Sequence, residues 1–67
     1  MDADVQYYLE RLGDGSVHEN DKSSFLDVLE VLLDPAALPA LKAFADDPAQ
    51  PAWLRQRTAK VIRVVQG

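Results

Sequence analysis

Pro51-Ala52-Trp53-Leu54-Arg55-Gln56-Arg57-Thr58-Ala59-Lys60-Val61-Ile62-Arg63-Val64-Val65-Gln66 is the stretch on which the reading of the fold turns. Its closing residues, Val61-Ile62-Arg63-Val64-Val65, have the β-branched composition of a strand. Its phase, however, is helical. Leu54, Thr58, Val61, Ile62 and Val65 recur at the spacing that lines up side chains on one helix face. That phase runs unbroken from Leu54, so a helix is predicted to about Gln66. Pro51 opens it, because a missing N–H is no loss in a first helical turn.

Working back along the chain, Asp46-Asp47-Pro48-Ala49-Gln50 reads as a turn-rich link. A third helix is predicted from about Pro39 to Ala45, burying Leu38, Leu41 and Phe44 or Ala45. Asp34 can cap a turn begun by Pro35, but Pro39 would crowd one continuous helix from there. Residues 35–38 are therefore read as a separate turn or a kinked first turn.

Phe25 to Leu33 is apolar at 25, 26, 28, 29, 31, 32 and 33, interrupted only by Asp27 and Glu30. A helix apolar nearly all round must be covered on several sides, by its own core or by a partner. This second helix is predicted to start near Asp21–Ser24, with Asp21 or Ser23 as its cap. Residues 13–21 form a polar loop, with Gly13 suited to a left-handed helix end. The first helix is predicted over about Ala3–Leu12, capped by Asp2 or Asp4, with Val5, Tyr8, Leu9 and Leu12 on one stripe. The expected architecture is all-α: a small antiparallel bundle of four helices, one domain spanning residues 1–67.

Sixty-seven residues cannot bury a large core, and such folds commonly need a staple. The chain has no cysteine, which removes disulfides and thiolate metal sites and leaves good packing or association. No apolar run is long enough to cross a bilayer, and the opening Met1-Asp2-Ala3-Asp4 is acidic where a signal peptide is basic. The chain reads as cytoplasmic, with no membrane role. The net charge of −4 is unevenly spread: residues 1–49 hold eleven acids and three bases, and residues 50–67 hold four bases and no acid. Cations gathered on a last helix suit its dipole; the same split also makes a bipolar surface that can steer a partner or pair head to tail.

The second half has a pattern of its own: Leu38-Pro39-Ala40-Leu41-Lys42-Ala43-Phe44-Ala45, then Asp46-Asp47-Pro48, then Leu54-Arg55 with Ala59 and Ile62. Over about residues 35–66 this resembles a HEAT-like repeat unit. The resemblance implies a protein-binding stacked helical hairpin, with Arg55 near Asp46 or Asp47. Residues 1–33 lack a matching second unit, and such arrays need about three repeats. A lone unit needs a cap, a dimer mate or another partner.

Trp53, Arg57 and Val64 fall off the Leu54–Val65 face, and Lys60 adds a further cation. An apolar-plus-cationic stripe of this kind has the composition of an interface hot spot. Tyr7 lies off the stripe of Tyr8 and is a further contact candidate. His18 is the single histidine; Asp14, Ser16, Glu19 and Asp21 around it lack the spacing and glycine of a calcium loop. No metal, cofactor or catalytic residue is expected. The sequence therefore points to a protein-binding module, an adaptor or inhibitor and not an enzyme, with a homodimer among its options. Two alternatives remain: a DNA-binding regulator using the basic last helix, and an acidic inhibitor imitating nucleic acid. The acidic balance, with a pI of about 4.6, disfavours nucleic acid as a partner.

Overall fold

The computed structural model describes residues 2–67. It contains four α-helices: α1 (Ala3–Leu12), α2 (Glu19–Leu32), α3 (Leu38–Ala45) and α4 (Ala52–Gln66). A single 3-10 turn, Pro35–Ala37, joins α2 to α3, and no strand occurs among the described residues. The valine-rich end of the chain is helical, as its phase requires. Pro51 stands just outside α4, and its carbonyl accepts from the N–H groups of Leu54 and Arg55.

Each helix start has a local cause. Asp2 Oδ1 accepts from Asp4 N–H at 2.8 Å and opens α1. Asp34 Oδ1 accepts from Ala36 N–H at 2.9 Å and opens the 3-10 turn. Pro39 falls in the first turn of α3, where its missing N–H leaves no carbonyl unpaired. The start of α2 corrects the expectation of an Asp21 or Ser23 cap. The helix begins at Glu19, because His18 Nδ1 accepts from Asn20 N–H at 3.1 Å. His18 is a capping residue at the end of the loop.

The helix ends also differ from expectation. Gly13 closes α1 in a right-handed conformation, at φ −82° and ψ −6°. The left-handed position falls on Leu33, at φ 53° and ψ 36°, where α2 ends with Leu33 N–H donating to Leu29 C=O at 3.3 Å. Geometry, not composition, decides this. Between α1 and α2 the reversal is spread over a six-residue loop. Between α2 and the 3-10 turn only Leu33 and Asp34 are available, so one residue must reverse the chain.

The core is drawn from every helix. Val5 and Leu12 of α1, Leu26 and Leu29 of α2, Leu41 and Phe44 of α3, and Leu54 and Val61 of α4 are buried around Ala37. Thr58 is fully enclosed among them; its hydroxyl donates to the Leu54 carbonyl at 2.7 Å, so its own donor is not left unpaired in the core. α4 packs on α3 and α2, and α1 covers α2, the 3-10 turn and α3. The burial predicted along 25–33 stops short: Leu26 and Leu29 are enclosed, whereas Val31, Leu32 and Leu33 are exposed. Among the described residues, no helix is long and apolar enough to cross a membrane.

Candidate functional site

On an α-helix, residues four and seven apart stack on one edge. Trp53, Arg57 and Val64 therefore form one edge of α4, and contacts fix which neighbour it faces. Trp53 Nε1 donates to Glu19 Oε1 at 3.1 Å. Arg57 Nη2 donates to Glu30 Oε2 at 2.7 Å and also to Asp27 Oδ1. The edge thus runs along α2, and the two helices point in the same sense: the start of α4 meets the start of α2, and the next turn meets its far half. Val31 lies one turn beyond Asp27 on this side of α2. A continuous seam results, with Trp53 at one end, a charged clamp in the middle, and Val31 and Val64 toward the other.

The predicted contact residues divide on this seam. Trp53 and Val64 are each 41% exposed, and Lys60 is exposed with no ion-pair partner among the described residues. Arg57 corrects the expectation of a free surface cation. It bridges Asp27 and Glu30, and only 22% of its side chain is open to solvent. Its hydrogen bond to Glu30, seconded by Asp27 and opposed by burial, raises its pKa above the usual guanidinium value. Arg57 therefore ties α4 to α2. Tyr7, 53% exposed, stands apart on α1 and meets Tyr8 edge to face at 5.4 Å between ring centroids. Tyr8 continues to Phe25 of α2 at 5.6 Å, so this aromatic row holds α1 in place.

Three other features complete the chemistry of the surface. Lys22 is only 5% exposed; its ammonium lies 5.8 Å from the centroid of the Phe44 ring and donates to Gln50 Oε1 at 3.5 Å. An open groove of about 280 Å³ lies nearby, lined by Gly13, Ala40, Ala43, Phe44, Asp47 and Gln50. Asp14 Oδ1 accepts from both the hydroxyl and the N–H of Ser16, at 2.7 and 2.9 Å. Those bonds, with attraction from Arg11 and Lys22, hold its carboxyl below the ordinary aspartate value of 3.8. Among the described residues, no group of three or more His, Cys, Asp or Glu is placed to hold a metal ion.

The arginine–aspartate pair implied by the HEAT-like resemblance is not formed. Asp47 turns inward on its own loop, accepting from Ala49 N–H and Gln50 Nε2, and no ion pair reaches Arg55 among the described residues. No protein-family model, curated protein or solved structure matches the chain.

Reading along the chain missed the acidic half of the seam, Glu19, Asp27 and Glu30. A signal for it existed: Asp27 and Glu30 alone break the apolar run of α2, three residues apart and so on one face. Val31 and the left-handed Leu33 carried no such signal.

Proposed function

We propose that this chain is a small protein-binding helical module, an adaptor or inhibitor, that works through the α2–α4 seam. The observation that carries this reading is where apolar surface remains after folding. Among the described residues, five of the six large apolar side chains left exposed, Val31, Leu32, Leu33, Trp53 and Val64, belong to α2 and its end or to the facing edge of α4. The tract they mark is divided by the Arg57 clamp, with Trp53 on one side and Val31 and Val64 on the other; exposed apolar side chains grouped along two facing elements mark an interaction site, whereas scattered residues do not. Arg57, held by two carboxylates, gives the tract a rigid centre, and Trp53 is held by Glu19; anchors fixed before binding lose little entropy on binding. Lys60 supplies a charge at the rim.

The same geometry weighs against the two nucleic-acid readings. Arg57 is spent on α2, which leaves three of the four cations of α4 for phosphates. Asp27 and Glu30 are likewise engaged, which thins the acidic surface a mimic would need. The HEAT-like hairpin over α3 and α4 remains part of the proposal, supporting a protein partner by architecture alone.

The test is affinity capture with the immobilised full chain, run beside Trp53→Ala. Trp53→Ala is expected to keep its far-UV circular dichroism and to lose the proteins captured by the parent chain. Identical capture by both chains, or none by the parent, would overturn the reading.

A further inference from the structure

Val31, Leu32 and Leu33 are three consecutive apolar residues at 79%, 44% and 52% exposure. The last of them sits in a left-handed conformation that is costly for a bulky side chain and free for glycine. This knuckle at the end of α2 therefore breaks two rules of monomer stability at once, within three residues. Places where local preference and fold disagree are where function is to be looked for.

We propose that the knuckle is a self-association element: it docks on the α4 stripe, Trp53, Lys60 and Val64, of a second copy of this chain. The inference rests on the reading of that stripe as a contact surface and names its occupant.

Three observations select a second copy. The first is charge. The knuckle is the carbonyl end of a helix with no basic residue in its last turn, and Asp34 follows it directly. It is apolar and negative. The stripe is apolar and carries one cation unpaired among the described residues, Lys60, because Arg57 is already matched by Asp27 and Glu30, and Lys60 is the charge that a negative knuckle would meet. The second is placement. Val31 of the knuckle and Val64 of the stripe lie toward the same end of the seam, a placement in which one two-fold rotation can set each patch opposite the other's counterpart. Such a pairing uses both patches of both copies and closes, leaving nothing to propagate. The third is size. An ordinary interface takes about 800 Å² from each partner, a fifth of the 4023 Å² this chain exposes. The 67-residue chain has no cysteine and, among the described residues, no group placed to hold a metal, so association is the staple left to it.

Sedimentation equilibrium of the full chain from about 1 µM to about 1 mM tests this, with a dimer expected to form in the micromolar range of a small interface. Leu33→Gly and Val64→Ser are each expected to weaken the dimer at least tenfold. Leu33→Gly is also expected to leave the melting temperature of the dilute monomer unchanged or raised, which separates lost association from lost folding. Mixing the two variants is the decisive arm. A mixed pair holds one intact knuckle on one intact stripe and gathers both lesions in its other contact, where their effects overlap, so the mixture is expected to dimerise more tightly than either variant alone. A knuckle-on-knuckle contact would give no such recovery and would overturn the proposal. So would a mass of 7.4 kDa at every concentration. If the chain stays monomeric while Trp53→Ala still loses captured proteins, self-association falls and the protein-binding reading stands.

Discussion

Two stretches of α2 lie within a few residues of each other and follow opposite logic. Leu26 and Leu29 are enclosed to within 2% of their surface, whereas Val31, Leu32 and Leu33 stand in solvent. Both are equally apolar in composition, and both belong to one predicted run. The difference is what surrounds them: α1 and α4 flank the body of α2, and among the described residues its end is covered only in part, with Val31 79% exposed. Apolarity along a helix therefore measures how much cover is wanted, and the fold decides how much of it the chain itself supplies.

That contrast can be broken from either side. The largest effect is expected at the enclosed positions. Leu26→Ala should cost about 3 kcal/mol, from lost burial and an unfilled cavity, enough to unfold much of a domain this small; urea titration would measure it, and a loss under about 1 kcal/mol would mean the core re-collapses. Arg57→Ala comes next. It leaves Asp27 and Glu30 side by side without their cation, in a partly exposed site, and should cost about 1 kcal/mol. The gap between Arg57→Ala and the parent should narrow in about 1 M salt, which screens the parent's ion pairs.

At the exposed end the signs change. Leu33→Gly should stabilise the dilute monomer by up to about 1 kcal/mol, because glycine takes the left-handed conformation without strain. Val31→Ser should move stability by no more than about 0.5 kcal/mol. A large loss from either would mean the knuckle is packed within the monomer. The smallest effect concerns the loop before α2. Asp14 has a depressed pKa, so its bonds to Ser16 stabilise the fold above the ordinary value of 3.8. That contribution fades as pH falls through the depressed value. Ser16→Ala should therefore lower the melting temperature slightly at neutral pH, and the difference should shrink as pH falls below 3.8.

How much of this was legible in the sequence follows the range of the interactions. Helix phase is local, so Leu54, Thr58 and Val61 announced both the α4 helix and its buried face against a strand-like composition. The 3-10 turn was likewise visible in the spacing of Pro35 and Pro39. Caps were legible where a short carboxylate did the work, at Asp2 and Asp34, and not where an imidazole did, at His18. The left-handed residue was assigned to Gly13 because glycine is suited to it; the fold required it at Leu33, where two residues must turn the chain. Of the contact stripe, Trp53, Lys60 and Val64 stand on the surface as read. Arg57 does not, because its partners lie 27 and 30 residues away and no local rule reaches so far.

The enclosed amine of Lys22 gives the molecule an internal reporter. Of its three lysines, Lys42 and Lys60 are exposed, while Lys22 is folded down between the ring of Phe44 and the amide of Gln50. An acylating reagent would mark the first two at once and reach the third only when its amine leaves Phe44 and Gln50. The rate at which that last label appears, followed by mass spectrometry, would clock the local opening around Lys22 under conditions where the fold as a whole is intact.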